Sequence, residues 1–491
     1  MAERRRVLLI GLDCAPPELV FEQLRAELPN LSRLMDGGLW GPLESSIPAI
    51  TVPAWMTGLT SKDPGELGIY GFRNRADHSY DKLSMATSEL VREDTVWDIL
   101  GRAGKRSVVV AVPPAFPPKP INGSLVGCFL TPSIQSQYTY PPSLRDEIAQ
   151  LVGEYLVDVP NFRTDDKEYI RRACHEMTEK RFKVIRHLIR NRDWDLFGFV
   201  EIGVDRMHHG FWKDHDATHP RHDPGSPYRS AIRDYYKMLD EQVGSVLELV
   251  GPETTVIVAS DHGAKKMDGG ICINEWLIGQ DKLTLESRPA ELTPFAKLSV
   301  DWSKTVAWGD GGYYGRLFMN VKGREPDGTI APADYERVRD EIAEGLRAIP
   351  GPDGRALGTR VYKPEQIYRS VRNVAPDLVV YFGDLDWRSV GSVGHGSVYT
   401  FENDTGPDDA NHAQQGIFIL YEGNGRRGGP TPGLRLIDLG PTILDLLDEP
   451  VPGDMQGRVI TARPNPPSPF PEGKGGMAPI APPPFRDGVG G

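Results

Sequence analysis

Carboxylate and imidazole side chains collect where buried strands are predicted to end. In open α/β sheets, active groups gather at the carboxyl ends of the strands, so these side chains are candidates for a single site. Three carboxylates and three imidazoles match the ligand preferences of zinc or manganese. The candidates, in chain order, are Asp13, Asp205, His209, Asp261, His262 and His412.

Two of the acids have ordinary structural explanations when each is considered alone. Asp13 follows an apolar run, where a carboxylate is commonly a turn or helix-capping residue. Asp205 and His209 are four apart, so a helix beginning at Asp205 places them on one face. That spacing also arises by chance, and His208 competes with His209 as the ligand.

The Asp261-His262-Gly263 segment is a more specific signal. It follows a predicted strand, and the glycine lets two neighbouring side chains diverge toward two ions. His412 stands before the last predicted strand as a lone histidine, a residue that is more often structural than a ligand. Only as a set do the six residues predict a two-metal centre, with ions roughly 4 Å apart.

A threonine held between prolines supplies a candidate nucleophile. Thr51 lies in "IPAITVPAW" at 47–55, which we interpret as a pinned, turn-like segment because proline cannot continue a helix. A packed loop with an incidental threonine is the alternative. Metal coordination lowers the pKa of a hydroxyl, so a rigid frame holding Thr51 against a metal would activate its oxygen.

Composition excludes several classes of protein. The chain has 491 residues, a net charge of −12 and a pI near 5.5, so it has no global basic surface for nucleic acid or an anionic membrane. The four cysteines are scattered without a C-x-x-C pair, which fits a reducing compartment. We expect a cytoplasmic protein with a small-molecule ligand; the sequence does not indicate an oligomeric state.

Alternating apolar runs and helical patterns must position these residues. The apolar runs predict buried strands, and the helical spacing of 166–192 and 228–251 predicts two long helices. This alternation predicts an α/β fold around a mostly parallel sheet. The predicted strands are "RRVLLIGLD" at 5–13, "SVVVAV" at 107–112, "LFGFVEIGVD" at 196–205, "TTVIVASDHG" at 254–263, "DLVVYF" at 377–382 and "GIFILY" at 416–421.

Two segments interrupt the alternation of predicted strands and helices, and a third follows it. Residues 113–165 are rich in Pro and Tyr and predict an inserted lid, whereas 264–370 predict a second elaboration of a core over 1–463. Residues 464–491 are rich in Pro and Gly and predict a disordered tail. The N-terminal apolar run is too short for a signal peptide, and no stretch approaches a transmembrane length.

Motifs spread over most of the chain resemble the alkaline phosphatase superfamily. Within it, the chain is similar to the type I phosphodiesterase/nucleotide pyrophosphatase group and to its bacterial branch of predicted phosphohydrolases or phosphomutases. The resemblance runs from about 7 to 460. It is carried by "GLD" at 11–13, "LPNLSRLMDGGLWGPLESSIPAITVPAW" at 28–55, "PGELGIYGF" at 64–72, "DRMHH" at 205–209, "SDHG" at 260–263 and "NHAQQGIFI" at 411–419.

The resemblance implies a three-layer α/β/α core, two divalent metal ions and a covalent phosphothreonine. It implies that Thr51 is the nucleophile. One metal would be bound by Asp13, Thr51, Asp261 and His262, and the other by Asp205, His209 and His412. The mixed ligand set suits zinc or manganese, and we favour zinc.

Some positions depart from the pattern of nucleotide pyrophosphatases. Phe72 stands where that group carries an asparagine that contacts the phosphoryl oxygen, and Leu67 replaces a histidine. We therefore expect another residue to donate to the phosphoryl group. For each cationic candidate, the alternative is an ordinary solvated surface charge. The candidates for substrate binding are Arg73, Arg206 and Lys265, and Arg75 and Lys266 are further candidates.

The sequence thus predicts a two-metal phosphohydrolase of the phosphodiesterase or nucleotide pyrophosphatase type. A metal-dependent phosphomutase or phosphomonoesterase acting on a small phosphorylated metabolite is the first alternative. A catalytically inactive binding protein on the same fold is the second. A sulfatase is rejected because Thr51 does not begin the C-x-P-x-R motif of those enzymes.

Overall fold

A computed structural model describes residues 4–423 and 428–460. Continuous apolar runs form strands buried on both faces, as a sheet covered by helices requires. The strands are β1 (Val7–Leu12), β2 (Leu39–Glu44), β3 (Arg73–Arg75), β4 (Leu83–Met85), β5 (Ser107–Val110), β6 (Gly123–Val126), β7 (Thr139–Tyr140), β8 (Leu196–Glu201), β9 (Thr255–Ala259), β10 (Gly263–Lys266), β11 (Gly269–Cys272), β12 (Ala307–Asp310), β13 (Gly315–Met319), β14 (Arg360–Tyr362), β15 (Leu378–Tyr381), β16 (Trp387–Val390), β17 (Tyr399–Thr400), β18 (Ala410–Ala413), β19 (Gln415–Tyr421), β20 (Gly429–Pro430) and β21 (Leu434–Arg435).

The two longest helices each bury an apolar stripe, as their sequence periodicity predicts, whereas the helix Thr51–Thr60 is buried on all sides. The two long predicted helices are confirmed as α6 and α8. The helices are α1 (Pro29–Gly37), α2 (Thr51–Thr60), α3 (Pro64–Leu67), α4 (Val96–Arg102), α5 (Leu144–Val152), α6 (Lys167–Asn191), α7 (Gly203–His215), α8 (Ala231–Val250), α9 (Ile273–Gly279), α10 (Tyr335–Arg347), α11 (Pro364–Ile367) and α12 (Leu439–Leu446).

The central sheet has ten strands and is mostly parallel. Its order is β20-β2-β19-β9-β1-β8-β5-β6-β7, with β21 also paired to β2. Strand β1 lies between β9 and β8, parallel to both, so the ends of these three strands meet at one edge. Strand β19 runs antiparallel to both β9 and β2. The residues that follow β1, β8 and β9 are therefore brought together.

Helices cover both faces of the central sheet. Because side chains alternate along a strand, Leu8 and Ile10 point into one apolar cluster, whereas Val7 and Leu9 point into another. The first cluster includes residues of α1, α6, α7 and α8, and the second includes residues of α2, α4 and α12. This is the expected three-layer α/β/α architecture.

A second, antiparallel sheet packs on its own apolar core, in the order β12-β13-β15-β14. The run at 377–382 was expected in the central sheet; instead it forms β15 of this second sheet. A short apolar run predicts a buried strand but carries no information about which sheet receives it. Strand β15 therefore lies beyond residue 370, the end of the predicted second elaboration, but pairs with strands inside it.

Residues 113–165, expected as an inserted lid, divide between two places. Strands β6 and β7 extend the edge of the central sheet, and α5 packs beside α6. Residues 158–163 approach the candidate site described below. The tail predicted over 464–491 lies outside the described residues. Among the helices that the structure describes, none has both the length and the apolar character needed to cross a bilayer.

Candidate active site

Thr51 is the first residue of helix α2 and is only 2% exposed. The segment was expected to be turn-like, but the turn ends at Ile50 and a helix begins. Pro53 is tolerated because the first N–H groups of a helix have no acceptor within it, and Ala54 N–H already donates to Ile50 O at 3.0 Å. The Thr51 hydroxyl therefore lies at the positive end of the α2 dipole.

One group of metal-binding side chains follows two neighbouring parallel strands. Asp13 follows β1, and Asp261 and His262 follow β9. His262 Nε2 is 3.1 Å from Asp261 Oδ2 and 4.0 Å from Asp13 Oδ1. The Thr51 hydroxyl oxygen is 3.3 Å from His262 Nε2. We call Asp13, Asp261 and His262 the first ligand set; Thr51 touches it directly.

The second ligand set combines helix α7 with strand β18. Asp205 and His209 are one turn apart on α7, and His209 Nε2 is 3.2 Å from Asp205 Oδ1. His412 on β18 brings its Nε2 to 3.7 Å from the same oxygen. The rings of His412 and His262 stack with centroids 3.8 Å apart, so the two sets are adjacent.

Four atoms of these sets that could bind a metal are buried and have no hydrogen-bond partner within the described part of the chain. They are Oδ1 of Asp13, Oδ2 of Asp261, Nε2 of His209 and Nε2 of His412. Buried polar atoms normally form a hydrogen bond, and leaving such an atom without a partner costs about 1–3 kcal/mol. Divalent cations bind oxygen and nitrogen lone pairs that no hydrogen bond occupies. The two ligand sets therefore fit two such ions.

The other polar atoms of the same side chains are held by the surrounding fold. Trp55 Nε1–H donates to Asp13 Oδ2 at 2.9 Å. His412 Nδ1 lies 3.0 Å from Ala49 O, and His262 Nδ1 lies 3.1 Å from the Gly263 carbonyl oxygen. These carbonyls favour protonation of Nδ1, which leaves Nε2 with a lone pair for a metal.

The electrostatics of the metal-free centre also favour cations. Burial, and then the charge of a neighbouring carboxylate, raises the pKa of Asp13 and of Asp261 well above the usual range. Burial lowers the pKa of His262 to about 4 and that of His412 well below its ordinary value. Crowded carboxylates beside neutral imidazoles are the arrangement that a divalent cation relieves.

The sequence analysis missed Asp408, which is buried against the second ligand set. Its Oδ1 lies 2.7 Å from His209 Nδ1, and its Oδ2 accepts from the Tyr313 hydroxyl at 3.1 Å and from Arg163 Nε at 3.3 Å. Although burial opposes the charged ring, Asp408 and Asp205 raise the pKa of His209 to about 9. A carboxylate behind a ligand histidine orients the ring. No spacing rule could connect residues this far apart in the chain.

His208, the competitor of His209, belongs to neither ligand set. Its ring lies between Tyr236 and Trp212, with Nε2 3.3 Å from the Tyr236 hydroxyl. Burial lowers the pKa of His208 to about 3, so the ring is neutral at physiological pH. The helix therefore presents His209, and not His208, beside Asp205.

Arg206 is held in a buried network at the edge of the centre. Its Nε and Nη2 donate to the two carboxylate oxygens of Asp158 at 2.8 and 2.9 Å, and its Nη1 donates to Asp205. The guanidinium carbon lies 4.2 Å from the Phe162 ring centroid. Arg206 therefore fixes the ligand Asp205 as well as lying near the centre.

Of the other two cations expected to bind substrate, one is engaged by acidic residues and the other is exposed. Lys265 Nζ is 2.6 Å from Asp386 and also bonds to the Asp384 carbonyl. Arg73 lies on β3 and is exposed. Arg163, not singled out from the sequence, has a side chain that is 29% exposed, and it contacts the ring of Tyr313 beside His412.

Solved structures confirm the fold at low sequence identity. Murine ectonucleotide pyrophosphatase/phosphodiesterase 5, in an inactive form with AMP, is 15% identical with a TM-score of 0.54, covering 91% of this chain and 96% of its own. Phosphonoacetate hydrolase from Sinorhizobium meliloti, with phosphonoformate, is 17% identical with a TM-score of 0.58, covering 91% and 95%. Human ectonucleotide pyrophosphatase/phosphodiesterase 5 is 14% identical with a TM-score of 0.52, covering 94% of this chain and 97% of its own.

The solved structures show only a shared fold, whereas a family model identifies the family. No curated protein sequence matches the chain. The model described as type I phosphodiesterase / nucleotide pyrophosphatase matches residues 7–408, which include both aspartates that follow β1 and β9. The chain therefore belongs to the type I phosphodiesterase/nucleotide pyrophosphatase family.

Proposed function

We propose that this protein is a two-metal phosphohydrolase that cleaves phosphate esters through a covalent phosphothreonine at Thr51. The observation that carries the proposal is the position of the Thr51 hydroxyl. It lies 3.3 Å from His262 Nε2, beside two ligand sets whose inward lone pairs have no partner in the described part of the chain. The family supports a phosphoryl hydrolase in general terms.

The chain's own residues divide between two ions. Asp13, Asp261 and His262, with the Thr51 oxygen, would hold one. Asp205, His209 and His412 would hold the other. When bound, two such cations neutralise charge on the phosphoryl oxygens and lower the pKa of coordinated hydroxyl groups. We favour zinc over manganese because three of the six side chains are imidazoles.

Helix α2 prepares Thr51 for attack on phosphorus. The positive end of its dipole favours the alkoxide form of the Thr51 side chain and an anionic phosphoryl group beside it. Thr51 Oγ forms a bond to phosphorus as the ester oxygen leaves, and water then cleaves the phosphothreonine to restore the hydroxyl. Position and charge supply most of the rate in such a transfer.

We propose a small phosphate ester as substrate. Two structures with the same fold hold AMP and phosphonoformate, which are small phosphorus-containing anions. Arg73, Arg206 and Lys265 remain our sequence-based candidates for substrate contacts, and Arg163 joins them. We also propose a cytoplasmic location, supported by four buried cysteines that are all free.

A phosphomonoesterase or phosphomutase is the second candidate function. It is favoured by Phe72, which packs edge-on against Phe129 at 5.9 Å where nucleotide pyrophosphatases carry an amide. It is also favoured by the partly exposed Arg163, since a guanidinium suits the dianion of a monoester better than a diester.

Turnover of bis-p-nitrophenyl phosphate and p-nitrophenyl phosphate, measured side by side, tests the proposal. The metal-free protein receives zinc or manganese, and Thr51→Ala is the control. We expect metal-dependent turnover that disappears in the variant, and the ratio of the two rates identifies the preferred ester. Equal turnover with and without Thr51 would contradict the proposal.

A further inference from the structure

Cys14 occupies the centre of the site without a role in the proposed hydrolysis. It directly follows the ligand Asp13, is fully buried and has a φ of +67°, a conformation uncommon for residues other than glycine. Its backbone N–H donates to Asp261 Oδ1 at 3.2 Å, and its Sγ lies 3.4 Å from the Gly263 carbonyl oxygen. This backbone therefore places a thiol beside the first ligand set.

The thiol also reaches the second ligand set. Cys14 Sγ and one ring nitrogen each of His262 and His412 all lie within 4.8 Å of one another. His412 Nε2 is buried and has no partner among the described residues. The sulfur thus adjoins both sets and an open nitrogen lone pair.

We propose that the Cys14 sulfur is a further metal ligand of this two-metal centre, beside His262 of one ligand set and His412 of the other, and that it makes the centre select thiophilic divalent cations over manganese. The inference rests on the proposed two-metal centre. On binding, the thiol releases its proton to solvent and a sulfur lone pair forms the bond to the metal, so no oxidant or reductant is needed. Soft thiolate ligands favour zinc and disfavour manganese.

Packing is the alternative explanation of Cys14, and the chain offers matched controls for it. Cys128 and Cys174 are also free and fully buried. Among the described residues, Cys14 is the only cysteine that lies in a group able to bind a metal. Packing alone predicts that replacing Cys14 or Cys174 has the same effect on metal binding.

Cobalt titration of the metal-free protein distinguishes these explanations without relying on turnover. Cobalt gives visible ligand-field bands with any ligand set, and an additional near-ultraviolet charge-transfer band only when sulfur is bound. We expect that band in the wild type and in Cys174→Ser, but not in Cys14→Ser. The ratio of zinc to manganese affinity should fall in Cys14→Ser, because a soft thiolate ligand is lost.

Each other outcome overturns a defined part of the inference. Visible bands without the charge-transfer band in the wild type would remove Cys14 from the ligands and leave the two-metal centre intact. No cobalt binding at all would overturn the centre and this inference together. If Cys14→Ser does not fold, Cys14→Gly replaces it, because glycine adopts the positive φ without strain. A charge-transfer band that persists in either Cys14 variant would refute the proposal.

Discussion

Replacing Asp408 by asparagine tests how the fold prepares the second ligand set. The carboxylate accepts from His209 Nδ1 at 2.7 Å and is buried, so asparagine keeps the shape and removes the charge. Loss of a carboxylate behind a ligand histidine typically weakens metal binding by about 10- to 100-fold. At 1.4 kcal/mol per factor of ten, this corresponds to about 1.4–2.8 kcal/mol of metal-binding free energy.

The same substitution should change how metal binding depends on pH. In the metal-free protein the pKa of His209 is about 9. Burial lowers this pKa, and the largest opposing effect, which raises it, is the charge of Asp408. At pH 7.5, well below this pKa, a cation must therefore displace nearly one proton from His209 in the wild type. Without the Asp408 charge this pKa falls, so the variant should release less of a proton at pH 7.5.

Isothermal titration calorimetry with zinc, in buffers of different ionisation enthalpy, measures affinity and proton release together. Asp409→Asn is the matched control, since Asp409 is equally buried but forms an ion pair with Lys167 at 2.8 Å. We expect Asp408→Asn to bind zinc more weakly with a shallower pH dependence, and Asp409→Asn to resemble the wild type in both. Unchanged affinity and proton release in Asp408→Asn would refute the reasoning.

Three further perturbations follow from the same geometry. Thr51→Ala should abolish ester turnover but keep zinc affinity within about tenfold of wild type by calorimetry, because the six carboxylate and imidazole ligands remain. Arg163→Ala should raise KM for p-nitrophenyl phosphate more than for the diester, since Arg163 is partly exposed beside the centre; equal effects on both esters would exclude recognition of a dianion. In the metal-free protein, His209 has a raised pKa of about 9. Its stabilisation is therefore complete below about pH 6.5 and is lost as pH rises through 9, which thermal unfolding between pH 6 and 10 would detect.

The proximity of the candidate ligands was predictable because two strong local rules locate these residues. Buried parallel strands read as continuous apolar runs, and their carboxyl ends meet, so Asp13 and Asp261 had to lie close together. Helical periodicity then placed Asp205 and His209 on one face of α7. Neither rule could indicate that His412 would approach from a different sheet, and only the resemblance to a family supported its selection.

The features that the sequence did not reveal depend on contacts between distant segments. Asp408 lies in a loop, and its partnership with His209 requires α7 and β18 to pack side by side. Strand β15 has the same apolar character as a central strand, yet pairs with β13 and β14 in the second sheet. The prolines around Thr51 concealed a helix start, because proline is permitted in the first turn.

Detection of a phosphoryl group on Thr51 is the most direct test of the account. The zinc-loaded protein is mixed with p-nitrophenyl phosphate, quenched in acid within the first turnovers, digested and examined by mass spectrometry. We predict a phosphorylated peptide containing Thr51 that forms only with metal and disappears when substrate is exhausted. Metal-dependent turnover that persists in Thr51→Ala, with no phosphorylated peptide in the wild type, would contradict the covalent mechanism.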